Sequence, residues 1–318
     1  MYKITMGDCM EEMKKLEDES VDLILTDPPY GTIKGMTRKV NNRTTLRKRN
    51  DWDVVVDIPS MLEEFNRVLK PNGRALIFGN NTYTQNLRNH SNSNMKYTYP
   101  LYWIKNHFAS PLNVNQAPLS YVEDITVFSK QYGKNTKQRE YMRKVFEFID
   151  EDRKVISEQS GLSRSVIDSC WYKMKQFRTP TEKTYNKLID RYNLEEMEGY
   201  MTHEELLLLK EKESPSPVFN LPEGKGHVGN IFEVSKDNFG RGVSLHPTQK
   251  PVELLKQLIE LYTNEGDVVL DSFMGSASTG VACIQTDRKF IGIELDEEYF
   301  NISKNRIEEE IQYGRENQ

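Results

Sequence analysis

Val268-Val269-Leu270-Asp271-Ser272-Phe273-Met274-Gly275-Ser276-Ala277-Ser278-Thr279-Gly280 runs from an apolar strand through a turn of small residues into the start of a helix. Such a turn leaves the first N–H groups of the helix free to face a ligand. The flanking sequence alternates in the same manner. Its periodicity predicts a helix over 252–262, a strand over 267–271, a helix over 276–286, a strand over 289–294 and a helix over 296–311. That alternation marks βαβ units and a parallel sheet. The strand over 289–294 ends at Glu294, roughly 20 residues beyond Asp271. In nucleoside-binding α/β folds an acid at that place accepts from both ribose hydroxyls. The three-glycine pyrophosphate fingerprint is missing, because the turn offers only Gly275 and Gly280. A cofactor without phosphates fits it better than a dinucleotide. For the turn taken alone, a tight structural corner whose acid caps the helix is the plainer alternative.

The first third of the chain has the same character. Residues 2–6 and 21–26 read as strands around a short helix carrying Met10, Met13 and Leu16 on one face. Val21-Asp22-Leu23-Ile24-Leu25-Thr26 is almost continuously apolar, as a strand covered on both faces of a parallel sheet should be. It stops at Asp27-Pro28-Pro29-Tyr30-Gly31, where two prolines end the ladder. A helix is expected over about 60–69, closed by Pro71-Asn72-Gly73, then strands over 74–79, 97–104 and 121–128. Residues 32–50 show no periodicity and read as a mobile loop. Residues 134–212 are poor in glycine and helical in composition, and Ser214-Pro215-Ser216-Pro217 breaks that run. The expected organisation is one α/β domain built from 1–133 and 213–318, with a helical insertion over 134–212.

At 318 residues, 37% hydrophobic and 29% charged, the composition is that of an ordinary globular protein. No stretch of about 18 apolar residues suggests a membrane span, and residues 1–5 do not resemble a signal peptide. Cys9, Cys170 and Cys283 are scattered, which argues for reduced thiols in a cytoplasm and against a disulfide framework or a zinc site. The net charge of −5 averages over unlike regions. Residues 34–49 carry Lys34, Arg38, Lys39, Arg43, Arg47, Lys48 and Arg49 with no acid among them, and bases outnumber acids over 134–191. Acids prevail over 195–213 and in the C-terminal helix. Nucleic acid is therefore not excluded as a partner.

Asp27-Pro28-Pro29-Tyr30 suits a demanding piece of chemistry. The exocyclic amine of adenine or cytosine is a weak nucleophile because its lone pair is delocalised into the ring. A carboxylate at Asp27 and a rigidly held carbonyl at Pro28 can accept from both N–H groups and aim that lone pair at a methyl donor. Tyr30 offers a face for a base flipped out of its duplex. A structural Asp-Pro-Pro turn with a packing tyrosine is the alternative for these four residues alone.

Taken together, four motifs resemble the DNA amino-methyltransferases acting on adenine N6 or cytosine N4, and more narrowly the permuted group in which the catalytic motif precedes the cofactor motif. They are Gly7-Asp8-Cys9, Asp27-Pro28-Pro29-Tyr30, His246-Pro247-Thr248-Gln249-Lys250-Pro251 and Asp271-Ser272-Phe273-Met274-Gly275-Ser276. They occur in the family's order across 1–133 and about 213–318. The resemblance implies a Rossmann-like S-adenosylmethionine fold, with Asp8 and its neighbour Cys9 at the cofactor's adenine and Phe273 packed on that ring. It implies Asp271, Gly275 and Ser276 at the methionine portion, Thr248 and Lys250 at its carboxylate, and Glu294 at the ribose. His246 would orient its loop. Asp27, Pro28, Pro29 and Tyr30 would form the catalytic site, with Asp27 also bordering the cofactor. The family's usual turn has proline where this chain has Ser272, glycine at Ala277 and threonine at Ser278. Aspartate at position 27 favours adenine; cytosine N4 is the runner-up, and a non-catalytic DNA-binding regulator on the same fold a third reading.

The insertion adds a candidate helix-turn-helix. Residues 154–159 and 163–173 read as its two helices, with Gly161 as the left-handed turn residue and Leu162 beneath it. Ser163, Arg164, Ser165 and Asp168 would face the major groove, with Lys173 and Lys175 near phosphates. A hairpin that only packs on the catalytic domain is the alternative. Helical insertions of this kind occur in phage- and prophage-type members of the family. The basic residues of 34–49 would clamp DNA phosphates beside the extruded base, or else form a solvated tail. Trp52 would anchor the loop's return to the core. The expected partners are double-stranded DNA and a cognate restriction endonuclease. Homodimers occur among relatives, but no self-complementary patch stands out here.

Overall fold

The computed structural model describes residues 1–31, 38–40, 43–45, 55–92, 94–106, 115, 118–130, 137–174, 177–213, 217–235 and 249–316. Two compact units emerge, Met1–Gln131 with Pro217–Gln318, and Tyr132–Ser216.

The first unit is built on strands β1 (Tyr2–Met6), β2 (Val21–Thr26), β5 (Leu69–Gly79), β6 (Met95–Ile104), β7 (Val122–Lys130), β8 (Ile231–Glu233), β9 (Val268–Asp271) and β10 (Lys289–Glu294). They form one sheet in the order β1-β10-β9-β2-β5-β7-β6-β8. The run from β1 to β5 is parallel, β7 is antiparallel to both of its neighbours, and β8 is parallel to β6. Side chains of β2 serve two cores, with an irregularity in register between Val21 and Leu23. Leu23 and Leu25 enter a core completed by Leu254, Leu255 and Leu258 of α9 (Val252–Tyr262) and by Ala282 and Cys283 of α10 (Ser278–Gln285). Ile307 of α11 (Glu297–Glu316) belongs to the same core. Val21 and Ile24 enter the opposite core with Met13 of α1 (Cys9–Met13), Phe65 of α2 (Ile58–Val68) and Leu87 of α3 (Asn81–Asn89). Both faces of the strand are thus dry, which explains its unbroken apolar run.

This topology positions the site. From β2 the chain passes through α2 to β5 on one side, whereas from β9 it passes through α10 to β10 on the other. The adjoining pair β2 and β9 is therefore the point where strand order reverses, and ligands of open α/β sheets bind beyond the carboxyl ends of such a pair.

Several expectations need correcting. Residues 32–50 are not wholly irregular: β3 (Arg38–Val40) and β4 (Arg43–Thr45) pair as an antiparallel ribbon, too short to give a period-2 signal. Helix α3 and strand β8 were not anticipated either. The first has a polar sequence, Asn81-Thr82-Tyr83-Thr84-Gln85-Asn86, and its start is set by Asn80, whose side chain accepts from the Tyr83 amide at 2.9 Å. The second is three residues of edge strand, ordered by pairing with β6 rather than by its own pattern. Helix α2 starts earlier than expected because Asp57 caps it and proline occupies its first turn.

Ala277 explains one departure noted in the sequence. Its φ of 56° lies in the left-handed region, where a Cβ is disfavoured by about 1 kcal/mol. A glycine would be relaxed there. Ala277→Gly is expected to leave stability within about 0.5 kcal/mol, because relief of that strain is offset by the greater chain entropy of unfolded glycine and by the methyl lost from the core. Thermal unfolding read by circular dichroism checks this, and a large shift of the midpoint in either direction would contradict it.

The second unit contains α4 (Lys137–Ile149), α5 (Arg153–Ser160), α6 (Arg164–Cys170), α7 (Glu182–Tyr192) and α8 (His203–Glu213) around a core that includes Met142, Val145, Ile156, Ile167 and Leu188. Gly161 joins α5 to α6 with φ 62°, and Leu162 packs against that core. Among the described residues, no helix is long and apolar enough to cross a membrane.

Candidate active site

A cleft of about 370 Å³ opens beyond the ends of β2 and β9. Asp8, Cys9, Asp27, Pro28, Pro29, Tyr30, Lys250, Asp271, Phe273, Gly275, Ser276 and Glu294 all line it, bringing together residues from both ends of the chain. His246 and Thr248 lie outside the described residues, as do Lys34, Arg47, Lys48, Arg49, Trp52 and Lys175; for Arg38, Lys39 and Arg43 only the backbone ribbon is described.

Each acid of the cleft has defined partners. Asp271 ends β9 and is buried; its Oδ1 accepts from the Thr26 hydroxyl at 2.8 Å and the Phe273 amide at 3.2 Å, and its Oδ2 from the Thr279 hydroxyl at 2.6 Å. Burial pushes its pKa up to about 6, although these donors pull it back. Glu294 ends β10. It accepts from the Gly275 and Asp296 amides, both at 2.8 Å, and burial pushes its pKa up to about 7. Asp8 caps α1, its Oδ1 accepting from the amides of Met10 at 2.9 Å and Glu11 at 3.2 Å. The Cys9 thiol is pushed up to about 12 by burial, so it serves as a small apolar wall rather than a nucleophile. Ser276 is held from behind by Arg306, whose Nη1 donates to the serine carbonyl at 2.9 Å.

Asp27 stands where β2 ends. Its Oδ1 accepts from the Tyr30 hydroxyl and its Oδ2 from the Lys250 ammonium. Burial raises its pKa above the usual carboxylate range, with Lys250 opposing that shift and Glu123 adding to it. Lys250 Nζ also lies 2.8 Å from Glu123 Oε1 and 4.9 Å from the centroid of the Phe78 ring. Lys105 Nζ lies 3.3 Å from Glu123 Oε2. The Tyr30 ring leans on Tyr83, centroids 5.2 Å apart and planes tilted by 42°.

Sequence reading missed Glu123, Lys105, Thr26, Thr279 and Tyr83. The only local hint of Glu123 is a pair of acids, Glu123-Asp124, just before the apolar stretch Ile125–Phe128 of the strand. Gln249 had been assigned no role. It is 7% exposed and lines the cleft, and among the described residues neither polar atom of its amide finds a partner.

In the helical unit, Ser163, Arg164 and Ser165 are exposed at the start of α6. That helix ends at Cys170, short of the expected residue 173. Lys173 follows in a turn, its Nζ 5.4 Å from the Tyr172 ring centroid. Asp168, expected to face outward, is instead bound by Arg153 at 2.7 Å and Arg164 at 3.3 Å. Helical spacing puts Arg164 and Asp168 on one face, and the charges pair.

A family model described as DNA methylase matches residues 21–305. DNA adenine methyltransferase YhdJ of Escherichia coli (strain K12) is 28% identical, over 98% of this chain and 85% of its own length. Type II methyltransferase M.HpaI of Haemophilus parainfluenzae is 25% identical, over 97% of this chain and 75% of its own. Among solved structures, the M1.HpyAVI-SAM complex superposes with a TM-score of 0.53 at 20% identity, covering 96% of this chain and 100% of that one. The cytosine-N4-specific PvuII DNA methyltransferase gives 0.53 at 17% identity, covering 96% of this chain and 87% of that one. These two likenesses speak for the fold.

Proposed function

Since this chain belongs to the DNA methylase family, we propose that it transfers a methyl group from S-adenosylmethionine to adenine N6 in double-stranded DNA. The observation that carries the proposal is the convergence of Asp27-Pro28-Pro29-Tyr30 and the Asp271–Ser276 turn on one cleft at the reversal point of the sheet. The adenine assignment is supported by the likeness to a DNA adenine methyltransferase over 98% of the chain, together with aspartate at position 27.

The lining fits such a cofactor. Asp8, Asp27, Asp271 and Glu294 make the cleft rich in acceptors, which suits a sulfonium, two ribose hydroxyls and an ammonium. Phe273, Ile293 and Leu295 offer apolar surface for an adenine ring. Among the described residues the Gln249 amide has no partner, so its NH2 group and its carbonyl oxygen are offered to a ligand. Glu294 would hold the ribose, Asp8 the adenine amino group, Asp271 and Gly275 the methionine portion, with Lys250 and Thr248 toward its carboxylate. When bound, S-adenosylmethionine supplies an electrophilic methyl group. The protein's own contribution is positioning. Tyr30 stacks on the extruded adenine while Asp27 and the Pro28 carbonyl accept from its amino hydrogens, orienting the nitrogen lone pair for in-line attack.

The α5–α6 pair supports a DNA-reading role for the insertion: its left-handed Gly161 turn and exposed Ser163, Arg164 and Ser165 suit a helix-turn-helix. The basic residues of 34–49 would grip phosphates. The type II names of several relatives make a cognate restriction endonuclease the partner to look for.

The test is methyl transfer from labelled S-adenosylmethionine to unmethylated genomic DNA, followed by nucleoside analysis and mapping of the methylated positions. N6-methyladenine is expected. N4-methylcytosine would keep the mechanism and change the base, and unlabelled DNA would overturn the proposal.

A further inference from the structure

Both oxygens of the catalytic carboxylate are already engaged. Tyr30 donates to one, and the Lys250 ammonium holds the other. A target amino group must therefore share Asp27 with that ammonium, which draws the carboxylate's charge toward itself. Withdrawing a carboxylate from a buried cation is strongly unfavourable unless another replaces it. Lys250 is well buried, its side chain 9% exposed, and a second carboxylate stands ready: Glu123 Oε1 is 2.8 Å from Nζ. Glu123 in turn has Lys105 at 3.3 Å on its other oxygen. Asp27, Lys250, Glu123 and Lys105 thus form a chain of alternating charge. Its position is set by the sheet, because Glu123 of β7 pairs in register with Trp103 of β6, two residues before Lys105.

We propose that Glu123 is a positioning residue for base capture, keeping a carboxylate on Lys250 while Asp27 exchanges the ammonium for the amino group of the target adenine. The proposal rests on Asp27 being the acceptor for that amino group. Lys105 matters to it because its ammonium balances the second negative charge that Glu123 brings beside the site. With a neutral residue at position 123, Lys250 loses the carboxylate that holds it while Asp27 turns to the base, and the ammonium draws more strongly on Asp27.

The experiment compares two duplexes containing the mapped site, one with adenine and one with purine at the target position. Purine lacks only the amino group, so the ratio of their affinities for the full-length protein, measured without cofactor so that no ligand carboxylate reaches Lys250, reports amino capture. Glu123→Gln is expected to cut the adenine-over-purine preference about tenfold, leaving purine-duplex affinity and cofactor affinity unchanged. Adding Lys250→Met to that variant should restore the preference, since no ammonium then competes for Asp27. If Glu123→Gln does not fold, Glu123→Asp keeps the charge with a shorter reach and should show a partial loss of the same kind. An unchanged preference, or equal weakening of both duplexes, would overturn the role of Glu123. A wild-type protein without any adenine preference would instead overturn the reading of Asp27 on which it rests.

Discussion

Asp27→Ala is expected to slow methyl transfer about 10³-fold, the scale of losing one preorganised hydrogen-bonding group at a reacting centre, while S-adenosylmethionine still binds within a few-fold of wild type. The structure supports both halves. Asp27 stands at the mouth of β2, held by Tyr30 and Lys250, so its carboxylate position is fixed before a base arrives. The groups assigned to the cofactor are anchored independently of it: Glu294 by the Gly275 and Asp296 amides, Asp271 by the Thr26 and Thr279 hydroxyls. Removing the carboxylate leaves Lys250 with Glu123, so the fold should persist. Single-turnover methylation of DNA and calorimetric titration with the cofactor measure the two halves separately. A variant that keeps most of its rate would exclude the amino-orienting mechanism.

The second large effect should come from Tyr30→Ala. Stacking of a base on an aromatic ring contributes about 1–3 kcal/mol, which corresponds to a roughly 5- to 150-fold fall in kcat/KM for DNA. Tyr30→Phe separates the ring from the hydroxyl. It keeps the surface that leans on Tyr83 and removes only the donor to Asp27, so its loss should be much smaller. Steady-state kinetics with DNA as the varied substrate would show this. If the phenylalanine variant fell as far as the alanine one, the hydroxyl rather than the ring would be the working part.

Much of the catalytic unit was legible because its signals are local. The apolar runs of β2 and β9 reflect strands covered on both faces, and the small-residue turn after Asp271 reflects a backbone that must bend sharply into α10. Family membership followed from the four motifs read in order. The weaker points share one cause. Strands β3 and β4, helix α3 and strand β8 have little apolar periodicity of their own, and pairing or capping by other residues orders them. Asp168 was misjudged because a helix face was read without its neighbours, and Arg153 and Arg164 claim it.

The sequence by itself determined the α/β alternation, the two strand ends that carry chemistry and the residue types offered there, because backbone propensity and burial periodicity act over a few residues. Tertiary structure alone decided that β2 and β9 lie side by side, although Leu23 and its ladder partner Val269 are far apart in the chain. It also decided that Lys250 bridges Asp27 and Glu123. Those contacts depend on how the whole sheet is ordered, and buried charges choose partners by proximity in space, which no short stretch of sequence encodes.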